Sequence, residues 1–251
     1  MELRTFFAQH PRAALAFSGG ADSAYLLYAG LKWAEDLSAY YVKSAFQPEF
    51  ERQDARHLAA ELGARLRILE ADVLACPTIA ANPPDRCYAC KKVIMSTIKA
   101  AAAADGYPLV IDGTNASDKI DDRPGFRALG EEGVLSPLRL CGLDKATIRA
   151  LSRQAGLFTW DKPAYACLAT RVKSGEPLTA ETLRAVETGE DALFGLGFSD
   201  FRVRTEGGRA RLQFIPEQME RARSRFGEIE SLLAPYFTEI MIDPMGREKS
   251  Q

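Results

Sequence analysis

RAALAFSGGADS (12–23) decides how the chain is read. Its first half is a short apolar run that ends at Ser18-Gly19-Gly20, the pattern of a buried strand entering a tight turn. From Ala21 onward, apolar residues recur at helical spacing as far as Ala34. Paired glycines let a backbone approach a phosphate closely. The start of the helix then offers unpaired N–H groups and a partial positive charge to an anion. Ser18 and Ser23 add hydroxyl donors. Asp22 is the odd member, because a carboxylate repels phosphate unless a cation lies between them. Mg²⁺ bridging pyrophosphate oxygens would answer that repulsion. The same letters also fit a plain strand–helix turn capped by serine.

Outward from this loop, strands are expected over 38–44, 65–71 and 109–112. Helices are expected over 48–62, with Gly63 as the stop, and over 90–105, stopped by Gly106. Residues 72–86 carry Pro77, Pro83 and Pro84 and are expected to be irregular. Such alternation of strand and helix predicts a parallel sheet covered on both faces. Residues 115–133 are polar and turn-rich and are expected to form a mobile loop. A capped helix follows over 144–156, then an irregular stretch over 160–177. Beyond it come a helix over 180–193, strands over 201–207, 210–215 and 239–243, and a helix over 217–233. The expected fold class is α/β, a parallel-sheet domain over 1–175, with a small C-terminal α+β domain over 176–251.

The 251 residues are 47% hydrophobic and 26% charged, an ordinary globular composition. Thirty-two basic against 34 acidic residues leave a net charge of −2, which speaks against nucleic acid as the main partner. No apolar run approaches the roughly 18–20 residues needed to span a bilayer, and the first residues lack the layout of a signal peptide. A cytoplasmic location is expected. Five cysteines, an odd number, then argue against a disulfide framework. With only His10 and His57 present, any metal site must be built mostly of sulfur or carboxylate.

SGGADS matches the SGGxDS signature of the PP-loop ATP pyrophosphatases, and the chain resembles that family in placing it directly after the first strand. The Walker A pattern is absent. The resemblance implies that ATP is split into AMP and pyrophosphate while a substrate is adenylated. It implies that Ser18, Gly19, Gly20, Asp22 and Ser23 bind the phosphates, with Asp22 and Ser23 also catalytic. It places Ser44, Gly113 and Thr114 near the nucleotide.

Four further stretches, NPPDRCYACKK (82–92), DGTNASD (112–118), DDRPGFRAL (121–129) and KPAYACLATRV (162–172), resemble the LarE group of sulfur transferases, as does LGF–FRVR within 196–204. That group adenylates a carboxylate of a pyridinium mononucleotide and replaces an oxygen with sulfur, on the way to a nickel-pincer cofactor. The implied partners are a small nucleotide carboxylate and sulfide or another sulfur donor, with no membrane and no nucleic acid. A homo-oligomer is also implied.

One branch of the group surrenders the sulfur of its own cysteine, at the position held here by Ala166, and lacks a CxxC. The chain is similar to the other branch, in which Cys87, Cys90 and Cys167 would bind a [4Fe-4S] cluster. Thiolate is the usual ligand of such clusters, and three thiolates would leave one iron open to hydrosulfide. By residue type alone, a CxxC suits zinc, redox or cluster chemistry. Zinc is disfavoured by the missing second pair and the scarcity of histidine. Cys76 and Cys141 read as packing residues.

Among the charged residues, Arg171 and Arg123 suit bidentate contact with phosphate or carboxylate, and the resemblance implies that Arg171, with Cys167, is catalytic. Arg202 and Arg204 alternate along a strand and so face one side. They match paired arginines expected at the substrate phosphate, and would equally suit a solvated sheet face. Glu190 and Asp191 resemble an acidic spot of the group, but Gln213 stands where a glutamate is expected. Arg221, Arg223 and Arg225 read as a solvated helix face, and His57 as structural. Two other readings are a tRNA-thiolating relative and a nucleotide and iron-sulfur sensor without turnover.

Overall fold

A computed structural model describes residues 1–119 and 124–248. Its strands are β1 (Arg12–Ala16), β2 (Asp36–Lys43), β3 (Arg65–Glu70), β4 (Val110–Asp112), β5 (Arg202–Glu206), β6 (Arg209–Gln213) and β7 (Glu239–Ile242). The helices of the first half are α1 (Leu3–Gln9), α2 (Ala21–Trp33), α3 (Glu49–Glu61), α4 (Pro77–Ala80), α5 (Arg86–Ala104), α6 (Pro124–Glu131), α7 (Pro137–Leu140) and α8 (Lys145–Gln154). In the second half they are α9 (Ala180–Gly195), α10 (Pro216–Ser224) and α11 (Phe226–Leu233). Among the described residues no helix is long and apolar enough to cross a membrane.

The chain divides into two compact units, Met1–Val73 with Asp85–Lys162, and Leu74–Pro84 with Pro163–Gln251. The first holds a four-stranded, all-parallel sheet in the order β3-β2-β1-β4. Alternation along each strand sorts its side chains between two apolar layers. Ala13, Leu15, Ala39, Tyr41 and Ile111 meet α1, α2, α3 and α8 on one face. Ala14, Tyr40, Val42 and Val110 meet α5 and α6 on the other. Both faces are covered, so the parallel α/β fold expected from the sequence is the fold adopted.

Helix α5 begins at Arg86, four residues before its expected start, and two further elements of this unit differ from the sequence expectation. Helix α1 precedes the first strand, burying Leu3, Phe6 and Phe7. Within the expected loop, residues 124–131 form α6, which buries Ala128 and Leu129 against the layer that contains α5. Gly125 and Gly130 disguise this short helix in the sequence.

The second unit carries a three-stranded sheet, β5-β6-β7, antiparallel between β5 and β6 and parallel between β6 and β7. Gly207 and Gly208 turn the hairpin with φ of 56° and 78°, values that a two-residue turn of this hand requires. The chain enters this unit after Lys162, upstream of the break expected near residue 175. Residues 74–84 also pack here. The Leu178 and Gly175 N–H groups donate to Ala80 O and Asn82 O at 2.7 and 2.9 Å, and Asn82 Nδ2 donates to Lys173 O at 2.9 Å. The helix expected over 217–233 breaks at Arg225 into α10 and α11. Arg221 and Arg223 lie on an exposed face, as expected, whereas Arg225 is half-buried. Arg221 and Arg225 both donate to Leu196 O, which supplies the carbonyl end of α9 with donors and positive charge.

Candidate functional site

The loop between β1 and α2 is tied by its own hydroxyls. Ser18 Oγ and Ser23 Oγ lie 3.0 Å apart, and Ser23 Oγ donates to Gly20 O at 3.2 Å. Gly19 adopts φ of 75°, and a side chain there would press on Ala55 and the Glu51 carbonyl at 3.4 Å. The turn after β4 closes on this loop from the sheet. A Cβ at Gly113 would stand 2.9 Å from Ser23 N, so only glycine lets the two backbones meet. Asp112 is buried and accepts from Thr114 Oγ1 and Ser136 Oγ, both at 2.6 Å, which holds that turn in place.

Asp22 sits in the first turn of α2. Its Oδ2 accepts from Asn115 Nδ2 at 3.2 Å, while its Oδ1 is enclosed with no hydrogen-bond partner. Burial raises the Asp22 carboxyl above its ordinary range, against the opposing pull of the Asn115 hydrogen bond and the Lys145 charge. An enclosed carboxylate oxygen without a donor, beside N–H groups that favour anions, fits a hard cation shared with phosphate oxygens. Asn115 is a site residue that spacing alone does not single out, because its partner Asp22 is distant in sequence.

Other residues expected at the nucleotide are engaged locally. Ser44 follows β2, where its Oγ donates to Gln47 Oε1 at 2.7 Å and accepts from Phe46 N at 3.2 Å. The Thr114 hydroxyl is spent on Asp112. Arg123 lies outside the described residues.

Cys87 and Cys90 occupy the start of α5 at i and i+3, and so lie on one face of the helix. Cys87 is exposed and Cys90 half-buried, and neither is in a disulfide. The buried Arg86 guanidinium packs 5.8 Å from the Phe46 ring and brings Nη2 to 4.0 Å from Cys87 Sγ. Helix α6 grips the same turn. Arg127 stacks 3.9 Å over Tyr88, whose hydroxyl donates to Glu131 at 2.6 Å.

Cys167 belongs to the second unit, at the head of the single turn Leu168–Arg171. Arg171 is 2% exposed and pairs with Glu190, 1% exposed, at 2.8 Å. Its Nη1 donates to Ala166 O and Thr170 Oγ1 at 2.8 and 2.9 Å. Its donors are thus used on Glu190, Ala166 O and Thr170 Oγ1, which ties it to the cysteine turn. Glu190 also accepts from Val203 N at 3.0 Å and from the Tyr165 hydroxyl, so it is a frame residue. Asp191 beside it is exposed at the surface, and partial desolvation with the Glu187 and Glu190 charges raises its carboxyl.

Arg202 is buried and Arg204 half-buried, so neither lies on a solvated sheet face. Burial, with Arg171 and Arg247 nearby, pushes Arg202 down to about 10, and Arg204 is lowered for the same first cause. Gln213 bridges Arg204 and Asp243. Tyr165 and Arg247 join this cluster without any signal in sequence spacing, since the fold alone brings them near. Among the described residues, no three His, Cys, Asp or Glu side chains are grouped to hold a metal ion. Cys87 and Cys90 of the first unit and Cys167 of the second are each free of disulfides, and thiolate is the residue type that iron-sulfur clusters use.

No family model matches the chain. It is 38% identical over 224 residues to an uncharacterized protein of Synechocystis sp., slr1717, covering 87% of this chain and 82% of the relative. It is 35% identical over 208 residues to the pyridinium-3,5-bisthiocarboxylic acid mononucleotide synthase of Lactiplantibacillus plantarum, covering 82% and 75%. An uncharacterized protein of Methanocaldococcus jannaschii, MJ0830, is 29% identical over 190 residues.

Proposed function

The chain belongs to the LarE-type sulfur transferases, and from that premise we propose that it uses MgATP to adenylate a carboxylate of a pyridinium-3,5-biscarboxylate mononucleotide and converts it to a thiocarboxylate. The observation that carries the adenylation step is the enclosed, donorless Asp22 Oδ1 within a loop otherwise made of anion-binding groups. Ser18, Gly19, Gly20 and Ser23 would cradle the phosphates. Bound Mg²⁺ would neutralise Asp22 beside them. A substrate carboxylate oxygen attacks the α-phosphorus and pyrophosphate leaves. The acyl carbon then carries AMP, a good leaving group. A sulfur nucleophile displaces AMP, which departs with the former carboxylate oxygen. Preorganised N–H groups offset the charge that builds on phosphate.

Cys87, Cys90 and Cys167 would hold a [4Fe-4S] cluster, which supplies sulfur chemistry beyond the protein's own thiols. Two features support this reading: Ala166 replaces a cysteine that could be sacrificed, and the CxxC is intact at the head of α5. The test is to supply ATP, Mg²⁺, the biscarboxylate mononucleotide and sulfide anaerobically, and to count AMP, pyrophosphate and thiocarboxylate. Equal amounts of all three are expected. Cys87→Ala should keep pyrophosphate release and lose thiocarboxylate. Undiminished transfer by that variant would refute the role of the cysteines, and absence of AMP would refute adenylation.

A further inference from the structure

Within the second unit, the turn that carries Cys167 is held by its backbone carbonyls. Ala164 O accepts from Arg202 Nη2 at 2.8 Å, Ala166 O from Arg171 Nη1 at 2.8 Å, and Thr170 O from Arg204 Nη1 at 2.9 Å. Cys167 O itself accepts from Thr170 N and Thr170 Oγ1 at 3.0 and 2.8 Å. Three guanidinium groups therefore clasp the turn, two before the cysteine and one after it. They belong to one frame. Arg202 and Arg204 flank Val203 on β5, and the Val203 N–H is held by Glu190, the partner of Arg171.

The charges of this frame are unevenly matched. Arg171 has Glu190, Arg247 has Asp200 at 2.8 Å, and Arg211 has Asp243 at 3.5 Å. Among the described residues, Arg202 and Arg204 have no carboxylate within ion-pair distance. Their partners are carbonyls, the Gln213 amide and, for Arg202, the face of Tyr165. An anion would be drawn to the same two groups that hold the turn.

We infer that Arg202 and Arg204 are positioning residues for Cys167, and that a phosphate-class anion bound by them shifts the presentation of its thiol. Binding of the anion competes with Ala164 O and Thr170 O for the same donors. The clasp thus couples arrival of a phosphorylated substrate to the place where sulfur is handled. That consequence rests on the role of Cys167 given under the proposed function, whereas the clasp itself can be tested without turnover.

The test measures iodoacetamide alkylation of each cysteine in the reduced, chelator-treated full chain by peptide mass spectrometry. Cys76, in the same unit, is the internal reference. Arg202→Gln and Arg204→Gln should each raise the Cys167 rate relative to Cys76 by about fivefold, the population change that one net hydrogen bond is worth. Inorganic phosphate should change the Cys167 rate of the wild-type chain and leave that of the double variant unchanged. If Arg202→Gln fails to fold, Arg204→Lys, which keeps the charge, should give an intermediate ratio. An unaltered ratio in the folded variants would overturn the inference, leaving the arginines as anion ligands only. Equal rises at Cys76 and Cys167 would also overturn it, as would phosphate without effect on the wild-type chain.

Discussion

Gly113 and Ser23 meet backbone to backbone, so that the turn after β4 and the first turn of α2 share one van der Waals contact with no room for a methyl group. Gly113→Ala should force the loop over 18–23, proposed to bind ATP, away from the sheet. The expected stability cost is about 1–3 kcal/mol, as for other overpacked positions. Pyrophosphate release should fall by about a hundredfold, as expected when a catalytic loop moves by an ångström. Thermal unfolding and a pyrophosphate assay on one preparation separate the two effects.

Asp22→Asn should separate stability from activity. Burial raises the Asp22 carboxyl, so the folded state holds its proton more tightly than the unfolded chain. Stability from this group is present at low pH and is lost as pH rises through the folded value, leaving the ionised carboxylate a cost at neutral pH. The asparagine variant should therefore match or exceed the parent in Tm at pH 7. It should also lose the Mg²⁺-dependent part of the ATP-induced thermal shift, which in the parent grows with pH as the carboxylate ionises.

Breaking the buried pair should be costly. Glu190→Gln leaves Arg171 charged without its counter-ion and weakens the bond to Val203 N, and a loss of about 3–5 kcal/mol is expected. Arg171→Met with Glu190→Leu should cost less than the sum of the single changes, because neither charge is then left alone. Denaturant unfolding of the three variants gives the coupling directly.

Arg202 should make stability depend on anions. Burial lowers it to about 10, so its charge is disfavoured in the folded state and costs stability at neutral pH. Inorganic phosphate at pH 7 should raise Tm in the wild-type chain and have little effect in Arg202→Gln. The increment should shrink with added sodium chloride.

The part of the chain nearest to the nucleotide loop was legible in sequence because its signals are local. An apolar run, two glycines and a helical period lie within 12–34, and each neighbouring strand carries its own stop. The CxxC was equally local, since i and i+3 share a helix face wherever the helix packs. Helix α1 was missed because its Phe6 and Phe7 are adjacent and give little periodicity. Segment 74–84, expected as an irregular part of the first domain, packs in the second unit because its place follows from hydrogen bonds to residues 173–178, far along the chain. The arginine frame was illegible for the same reason. Arg202 and Arg204 alternate like a solvated strand face, and only the turn over them, with Arg171 and Glu190, makes them interior.

If sulfur is passed on without consuming a cysteine of the protein, the intact mass of the chain is unchanged by turnover. Protein, ATP, Mg²⁺, the biscarboxylate mononucleotide and excess sulfide are incubated anaerobically, and thiocarboxylate is counted per chain. Several products per chain are expected, with a polypeptide mass equal to that before reaction. A single product per chain, with loss of the mass of hydrogen sulfide from one cysteine, would contradict it.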